Sequence, residues 1–376
     1  MALHCTVHCD DILKAVGAQQ NITNKKGNMA ILSNLLLEAT GNQLTCTGTD
    51  LEIGLKQTIP AEVIEEGSIT LPAKKLFELA RESGGADITL KEQDNAWVEI
   101  EAGPSRYRLA GMNAEEFPQF PSYDEEALVS LDSEVLAEMI DKTSFSIAMD
   151  KESVFSLTAA LLQKHEEEEK FFLKMITSDG HRLTTMNREV DPGLRKLEIG
   201  PSTLIPRRGI QEIRKFCENR DSFLFGVEEK QIVLQGEQSL LIVRLMKGDF
   251  PDFATVIQNI AQDNQVEIHR VRFLEALKRM NLFSEDIFHA IKISLAENSI
   301  TLNSQHAEFG SATDSFAVQY AGNDVELAFN CRFFIETMQV MEGDVIRAAI
   351  KDEKSPCMIS SEQDDGFLSV IMPMKL

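Results

Sequence analysis

The chain has 376 residues, 43% hydrophobic and 26% charged, with 37 basic against 60 acidic side chains and a formal net charge of −23 at pH 7. That is the composition of ordinary globular protein; no apolar run approaches the roughly 18 residues that cross a membrane, and the acidic balance argues against loose, general affinity for nucleic acid. Six cysteines, at 5, 9, 46, 217, 331 and 357, are too scattered for a disulfide framework, and the opening MALHCTVHCD lacks a basic segment followed by an apolar core, so a cytoplasmic chain without a secretion signal is expected.

Leu3, Cys5, Val7 and Cys9 alternate with His4, Thr6 and His8, which predicts a strand. His4 and His8 would then lie about 13 Å apart at ~3.3 Å per residue, too far to share one ion, so no metal site is expected. Asp10 and Asp11 are placed to cap a helix carrying Ile12, Leu13 and Val16. After a loop with Lys25 and Lys26 come three strands with a turn at Gly41 and Asn42. TLPAKKLFELARE (70–82) begins as strand and meets Pro72, whose fixed φ and missing N–H suit a helix edge. It continues as a helix with Leu76, Phe77, Leu79 and Ala80 inward and Lys74, Lys75 and Arg81 outward. A meander turning at Asp94 and Asn95 and at Gly103 and Pro104 follows.

The acidic, proline-bearing segment 118–127 is the first expected linker. The order then repeats, starting with a helix from Ser133 to about Ser146 that turns Val135, Leu136, Met139 and Ile140 inward. Strands lead to TLIPRRGIQEIRKF (203–216), where Pro206 stands 134 residues after Pro72. Here Ile210, Ile213, Phe216 and Cys217 share one arc, while Arg207, Arg208, Arg214 and Lys215 share the opposite one. Phe117 of AEEFPQF and Phe250 of KGDFPDF, 133 residues apart, mark the same period. A second, polar linker is expected in 257–265. Beyond it RFLEALKRMNLF shows an inward stripe of Phe273, Leu274, Leu277 and Met280. LAFNCRFFIETMQVM (327–341) is a weaker third copy, with Asn330 at the proline position and only Arg332 among the bases; FLSVIMPMKL reads as a closing strand. A period this long means duplicated domains, since solenoid repeats run about 20 to 50 residues. The expected fold is α+β, with three similar domains at 1–125, 128–256 and 262–376. Each would carry two helices on one face and about eight short antiparallel strands outside.

TSDGHRL (177–183) gathers Asp179, His181 and Arg182, which could serve as an acid/base pair. A tight turn at Gly180 explains the same residues, and neither a nucleophile elbow nor a phosphate-binding loop occurs. No catalytic residue, cofactor or metal is therefore expected. A single basic helix arc fits a solvated face; its recurrence in matched places favours phosphate contact without sequence reading.

GNQLTCTGTDLEIGL, TSDGHRLTTM, STLIPRRGIQEI, GDFPDF and the closing VIMPMKL together resemble the bacterial DNA polymerase III β subunit family, the replicative sliding clamps, over essentially the whole chain and in the same order. The resemblance implies a non-catalytic head-to-tail homodimer, a ring of six similar domains around double-stranded DNA with helices lining the hole. It implies partners too: the polymerase III catalytic subunit, the clamp loader and other clamp-motif proteins, with no membrane. Twelve helices packed about 10 Å apart trace a circle roughly 38 Å across. Removing a helix radius of ~5 to 6 Å at each side leaves very roughly 27 Å, enough for a hydrated duplex. Encirclement also reconciles the net charge with DNA, because a topological link needs no tight contact.

For DNA contact the resemblance points to Lys26, Lys74, Lys75, Arg81, Lys151, Arg207, Arg208, Arg214 and Lys215, with the third domain touching DNA least. For a pocket that takes short partner peptides it points to Leu157, Ser178, Gly180, His181, Arg182, Leu183, Pro251, Thr255, Val256, Pro356, Val370, Met372, Pro373, Met374 and Leu376. For the subunit boundary it joins Arg106, Tyr107 and Leu109 of one chain to Leu282 and Phe283 of the other. An enzyme built on Asp179 and His181, and a scaffold that never meets DNA, are the rival readings.

Overall fold

A computed structural model describes residues 2–23, 29–149, 154–258, 265–284, 288–352 and 354–374. Its helices are α1 (Cys9–Ala18), α2 (Gln20–Thr23), α3 (Ala73–Glu82), α4 (Ser133–Thr143), α5 (Arg207–Phe216), α6 (Phe253–Gln258), α7 (Arg270–Asn281) and α8 (Cys331–Val340). The repeat is visible in how three of them start. Pro72 (φ −56°) and Pro206 (φ −61°) are the N-caps of α3 and α5, and Asn330 is the N-cap of α8. Proline presets the entry angle; Asn330 instead accepts the Arg332 N–H with its side chain at 2.9 Å, so the third copy replaces stereochemistry with a hydrogen bond.

Two local expectations are corrected. The N-cap of α1 is His8 in extended conformation, and Asp10 and Asp11 lie in the first turn, where the helix dipole favours acids without a capping bond. Helix α6 occupies 253–258, where the end of a meander and the start of a linker were expected. Asp252 accepts both the Thr255 N–H (3.2 Å) and its hydroxyl (2.5 Å), and that Asp-x-x-Thr cap is what starts the short helix.

The chain forms two compact units, residues 1–132, 196–198 and 218–245, and residues 133–195, 199–217 and 246–376. In the first unit a five-stranded antiparallel sheet runs Glu62–Glu65, His4–Val7, Ile88–Glu92, Trp97–Ala102 and Ser105–Ala110. A nine-stranded sheet contains the pairing of Ile53–Pro60 with Ser239–Arg244, where Gly54 stands opposite Ile242. The core takes Leu3, Cys5, Ile12, Val16, Leu35, Leu37, Leu76, Ala80 and Ile100 from α1, α3 and both sheets. Cutting one of these back, as in Leu76→Ala, costs about 2–5 kcal/mol.

In the second unit an eight-stranded sheet joins Arg182–Val190 to Phe367–Ile371, with Leu183 opposite Val370. A four-stranded sheet ends on the edge strand Gly310–Ala317. Helices α4 and α5 pack together, as do α7 and α8. The middle third of the chain contributes to both units because its strands between 222 and 244 continue the first third's sheet, while those between 159 and 190 continue the last third's. All six cysteines are free and buried, and burial pushes the Cys5, Cys46, Cys331 and Cys357 thiols up to about 12, which makes them inert.

Candidate functional site

The 178–182 turn is fixed by its own polar atoms. Ser178 Oγ donates to the Arg182 carbonyl (2.7 Å) and accepts the Gly180 N–H (3.1 Å), while Asp179 Oδ1 accepts the His181 and Arg182 N–H groups, both at 3.0 Å. Gly180 holds φ 90°, a conformation that favours glycine. The Met372 N–H reaches the His181 carbonyl at 2.9 Å, tying the strand that carries Val370 to this turn.

Between the turn and that strand lies a cleft of about 190 Å3, lined by Leu157, Ser178, Gly180, Arg182, Leu183, Phe250, Pro251, Asp252, Phe253, Val370 and Met372. Leu183 and Val370 belong at once to its lining and to the core beneath, so the floor is rigid. Phe250 and Phe253 meet edge to face, with centroids 6.4 Å apart, and Met372 is 40% exposed. Arg182 has its guanidinium fully engaged. It donates to Asp179 Oδ2 (2.9 Å), to the Phe145 carbonyl (2.7 Å) and to Glu336 of α8, and it lies over the Phe145 and Phe333 rings. Such a site can bury apolar side chains of a short peptide and orient them by a few polar groups. Asp179 spends its oxygens on backbone N–H groups and on Arg182, which leaves no acid/base dyad with His181.

Of the residues that the resemblance assigns to the pocket, Leu157, Ser178, Gly180, Arg182, Leu183, Pro251, Val370 and Met372 line the cleft. His181 takes part through its carbonyl, and Thr255 is bonded to Asp252 on α6. The Met374 N–H turns to the Ala328 carbonyl (2.7 Å), so Pro373 and Met374 lead the chain away from the lining, to which Pro356 does not belong either. Leu376 and the Val256 side chain lie outside the described residues. Phe250, Asp252 and Phe253 were missed, although GDFPDF had marked them as a repeat; the signal was there without a role attached.

The basic helix faces are exposed, and acids accompany them. Lys74 is exposed; Lys75 bonds Glu78 (2.7 Å) and Arg81 bonds Glu82 (3.0 Å) on α3. On α5, Arg214 bonds Asp141 of α4 (2.7 Å) and Lys215 bonds Glu212 (2.7 Å), while Arg207 lies 3.4 Å from the Ile147 carbonyl and Arg208 is half-buried. The hydrogen bond from Lys75 holds the Glu78 carboxyl below its usual range. The expected segregation of acids away from these faces is therefore corrected: each helix carries its own counter-charges. Lys26 and Lys151 lie outside the described residues. Helix α7, which the sequence reading left without bases, presents exposed Lys278 and sets Arg272 and Arg279 on Asp314, each at 2.7 Å.

Arg106, Tyr107 and Leu109 sit on the edge strand Ser105–Ala110, Arg106 3.2 Å from Glu101 and the other two packed partly against the core. Leu282 is 73% exposed and Phe283 half-buried, just after α7. Among the described residues no cluster of three metal-ligating side chains occurs, and no helix is long and apolar enough to cross a membrane.

Comparison with known proteins bears on this geometry. Family models of the N-terminal, central and C-terminal domains of the DNA polymerase III beta subunit match residues 3–121, 130–252 and 260–375. The beta sliding clamp of Chlamydia trachomatis is 30% identical over 360 residues, 95% of this chain and 83% of the relative. The chain belongs to the bacterial sliding clamp family. The clamp of Haemophilus influenzae is 29% identical over 98% of both chains. In three dimensions the clamp resembles the crystal structures of the sliding clamps of C. crescentus (TM-score 0.94, 27% identity) and Pseudomonas aeruginosa (TM-score 0.89, 26% identity), each covering 100% of both chains. The clamp fold of three similar domains is thus present, and a clamp is a processivity factor of DNA replication, not an enzyme.

Proposed function

We propose that two copies of this chain close head to tail into a ring around duplex DNA and hold replication and repair proteins by short apolar peptides in the Leu183–Val370 cleft. The cleft carries the reading, since a rigid apolar floor with a polar rim is what a peptide anchor needs. The domains of the ring are 1–125, 128–256 and 262–376. The polymerase catalytic subunit and the clamp loader are the expected peptide donors, the loader opens the ring, and the site of action is the cytoplasm, on the nucleoid.

Closure has an argument in the strands. The chain twice joins neighbouring repeats by antiparallel pairing, Ile53–Pro60 with Ser239–Arg244 and Arg182–Val190 with Phe367–Ile371. By the repeat, the strands left for a third such seam are Gly310–Ala317 and Ser105–Ala110, both at sheet edges. Unpaired edges invite pairing, and a second copy supplies the partner edge in each direction. Tyr107 and Leu109 of one copy then meet Leu282 and Phe283 of the other, with Arg106 at the rim. Lys74, Lys75, Arg81, Arg207, Arg208, Arg214 and Lys215 supply weak, sequence-independent phosphate contact, which suits sliding.

The test loads the protein onto nicked circular and linearised plasmid with a clamp loader. Retention on the circle and loss from linear ends is expected; equal loss from both overturns encirclement. Leu183→Asp should abolish peptide binding without changing retention, and unchanged peptide binding overturns the cleft's role.

A further inference from the structure

The turn that walls the cleft is built twice. In 49–53, Thr49 Oγ1 donates to the Ile53 carbonyl and accepts the Leu51 N–H, both at 3.0 Å, and Asp50 Oδ1 accepts the Glu52 and Ile53 N–H groups at 3.0 and 2.8 Å. Each bond has its counterpart among Ser178, Asp179, Gly180, His181 and Arg182. Leu51 holds φ 73° where Gly180 holds 90°, although a leucine gains nothing from that conformation. The Arg244 N–H meets the Glu52 carbonyl at 2.8 Å, as the Met372 N–H meets that of His181. Gly54 faces Ile242 as Leu183 faces Val370.

The floor is what differs. Gly54 stands in the place of Leu183, and the Phe120 ring lies over it so closely that a Cβ at position 54 would come within 2.7 Å of the ring. The Lys56 ammonium sits 4.5 Å from the ring centroid and covers it further. Phe120 belongs to FPQF, the repeat of the FPDF that brings Phe250 and Phe253 to the open cleft, and stands 133 residues before Phe253.

The geometry points to a second copy of the partner cleft at the Gly54–Ile242 seam, held shut by the chain's own Phe120, which occupies it as a partner's aromatic or apolar side chain would. The inference rests on the reading of the Leu183 cleft as a peptide site. Gly54 makes room for the resident ring; Leu183 fills the same space in the open cleft and leaves its mouth to outside ligands. Each chain therefore offers one site, for which all partners compete, and a Phe120-free seam would offer another.

The probe is 4-fluorotoluene, a free equivalent of the phenylalanine side chain, titrated into the full chain and followed by 19F NMR. Wild type should show one saturable site, lost in Leu183→Asp. Phe120→Ala should add one equivalent that survives the Leu183→Asp change, and Phe120→Leu, which refills the slot, should not. Should Phe120→Ala fold poorly, Gly54→Ala displaces the ring instead and should add the same Leu183-independent equivalent. Folded variants of either kind without that equivalent overturn the inference. Absence of the Leu183-dependent site in wild type counts against the open cleft as a ligand site and leaves the Phe120 result to be judged on its own.

Discussion

Lys142 of α4 and Asp364 of the 361–366 loop close to 2.6 Å with both side chains buried, and Asp364 also accepts the Glu342 and Gly343 N–H groups, each at 2.9 Å. The contact clasps two segments of the second unit that lie 222 residues apart. Burial by itself would raise the Asp364 carboxyl, but the bonds from Lys142 and the two amides outweigh it and hold the group below the usual carboxylate range. A carboxylate depressed in the folded state contributes stability that is complete above its unfolded pKa of about 3.9 and is lost as pH falls through the folded value. The thermal midpoint should thus be insensitive to this pair above about pH 5 and fall on the acid side, and Asp364→Asn should flatten that acid limb. At neutral pH Asp364→Asn should cost about 3–5 kcal/mol, because Lys142 is left charged and buried. Lys142→Met with Asp364→Leu should cost less than Asp364→Asn alone. Calorimetry across pH 2 to about 8 checks all three outcomes.

Phe250 lines the cleft, stacks edge to face on Phe253 and is half-buried, the position of an anchor contact. Phe250→Ala should weaken partner-peptide binding about 10- to 100-fold, or roughly 1.4–3 kcal/mol. His181→Ala keeps the carbonyl that meets Met372 and should stay within about threefold of wild type. Fluorescence anisotropy with one labelled partner peptide separates the two, and a larger loss at His181 than at Phe250 would relocate the binding surface.

The repeat and its apolar faces could be read directly from the sequence because Pro72 and Pro206 punctuate it and because inward stripes such as Phe273, Leu277 and Met280 have helical spacing. Residues 178–183 and 370–372 were also legible as parts of one site, yet only through resemblance: nothing local says that Leu183 will face Val370 across 187 intervening positions. What escaped was non-local electrostatics. Asp141 and Arg214 lie on different helices, so the pair that quenches a basic face is invisible to a helical wheel drawn for either one. Helix α6 escaped for the opposite reason, since its six residues are too few to show periodicity and only the Asp252 cap marks it.

Arg214 and Asp141 form a half-exposed pair at 2.7 Å, worth about 0–1 kcal/mol to the fold. Releasing Arg214 should therefore cost little stability and add one phosphate contact. Asp141→Asn is expected to tighten binding to a short duplex at low salt and to steepen the slope of log affinity against log salt by about one. Arg214→Ala should do the reverse or nothing. Identical salt slopes in Asp141→Asn and wild type would show that this helix face does not meet DNA.

Leu282 is 73% exposed, a large apolar side chain with little contact to its own chain, whereas Leu109 is half-buried against the core. Leu282→Asp accordingly costs a monomer about 0.5 kcal/mol or less, the range of ordinary surface changes, while inserting a charge into the apolar patch that two copies would bury. Leu109→Asp would disturb both fold and boundary, so Leu282 is the cleaner probe. Sedimentation velocity should show a dimer for wild type and a monomer for Leu282→Asp, with thermal midpoints nearly equal at micromolar dilution. The monomer should still bind a partner peptide at the Leu183 cleft, which lies within one chain, and should be lost from nicked circular plasmid as fast as from linear. A Leu282→Asp protein that sediments as a dimer would place the subunit boundary elsewhere, and the pairing of Gly310–Ala317 with Ser105–Ala110 would fall with it.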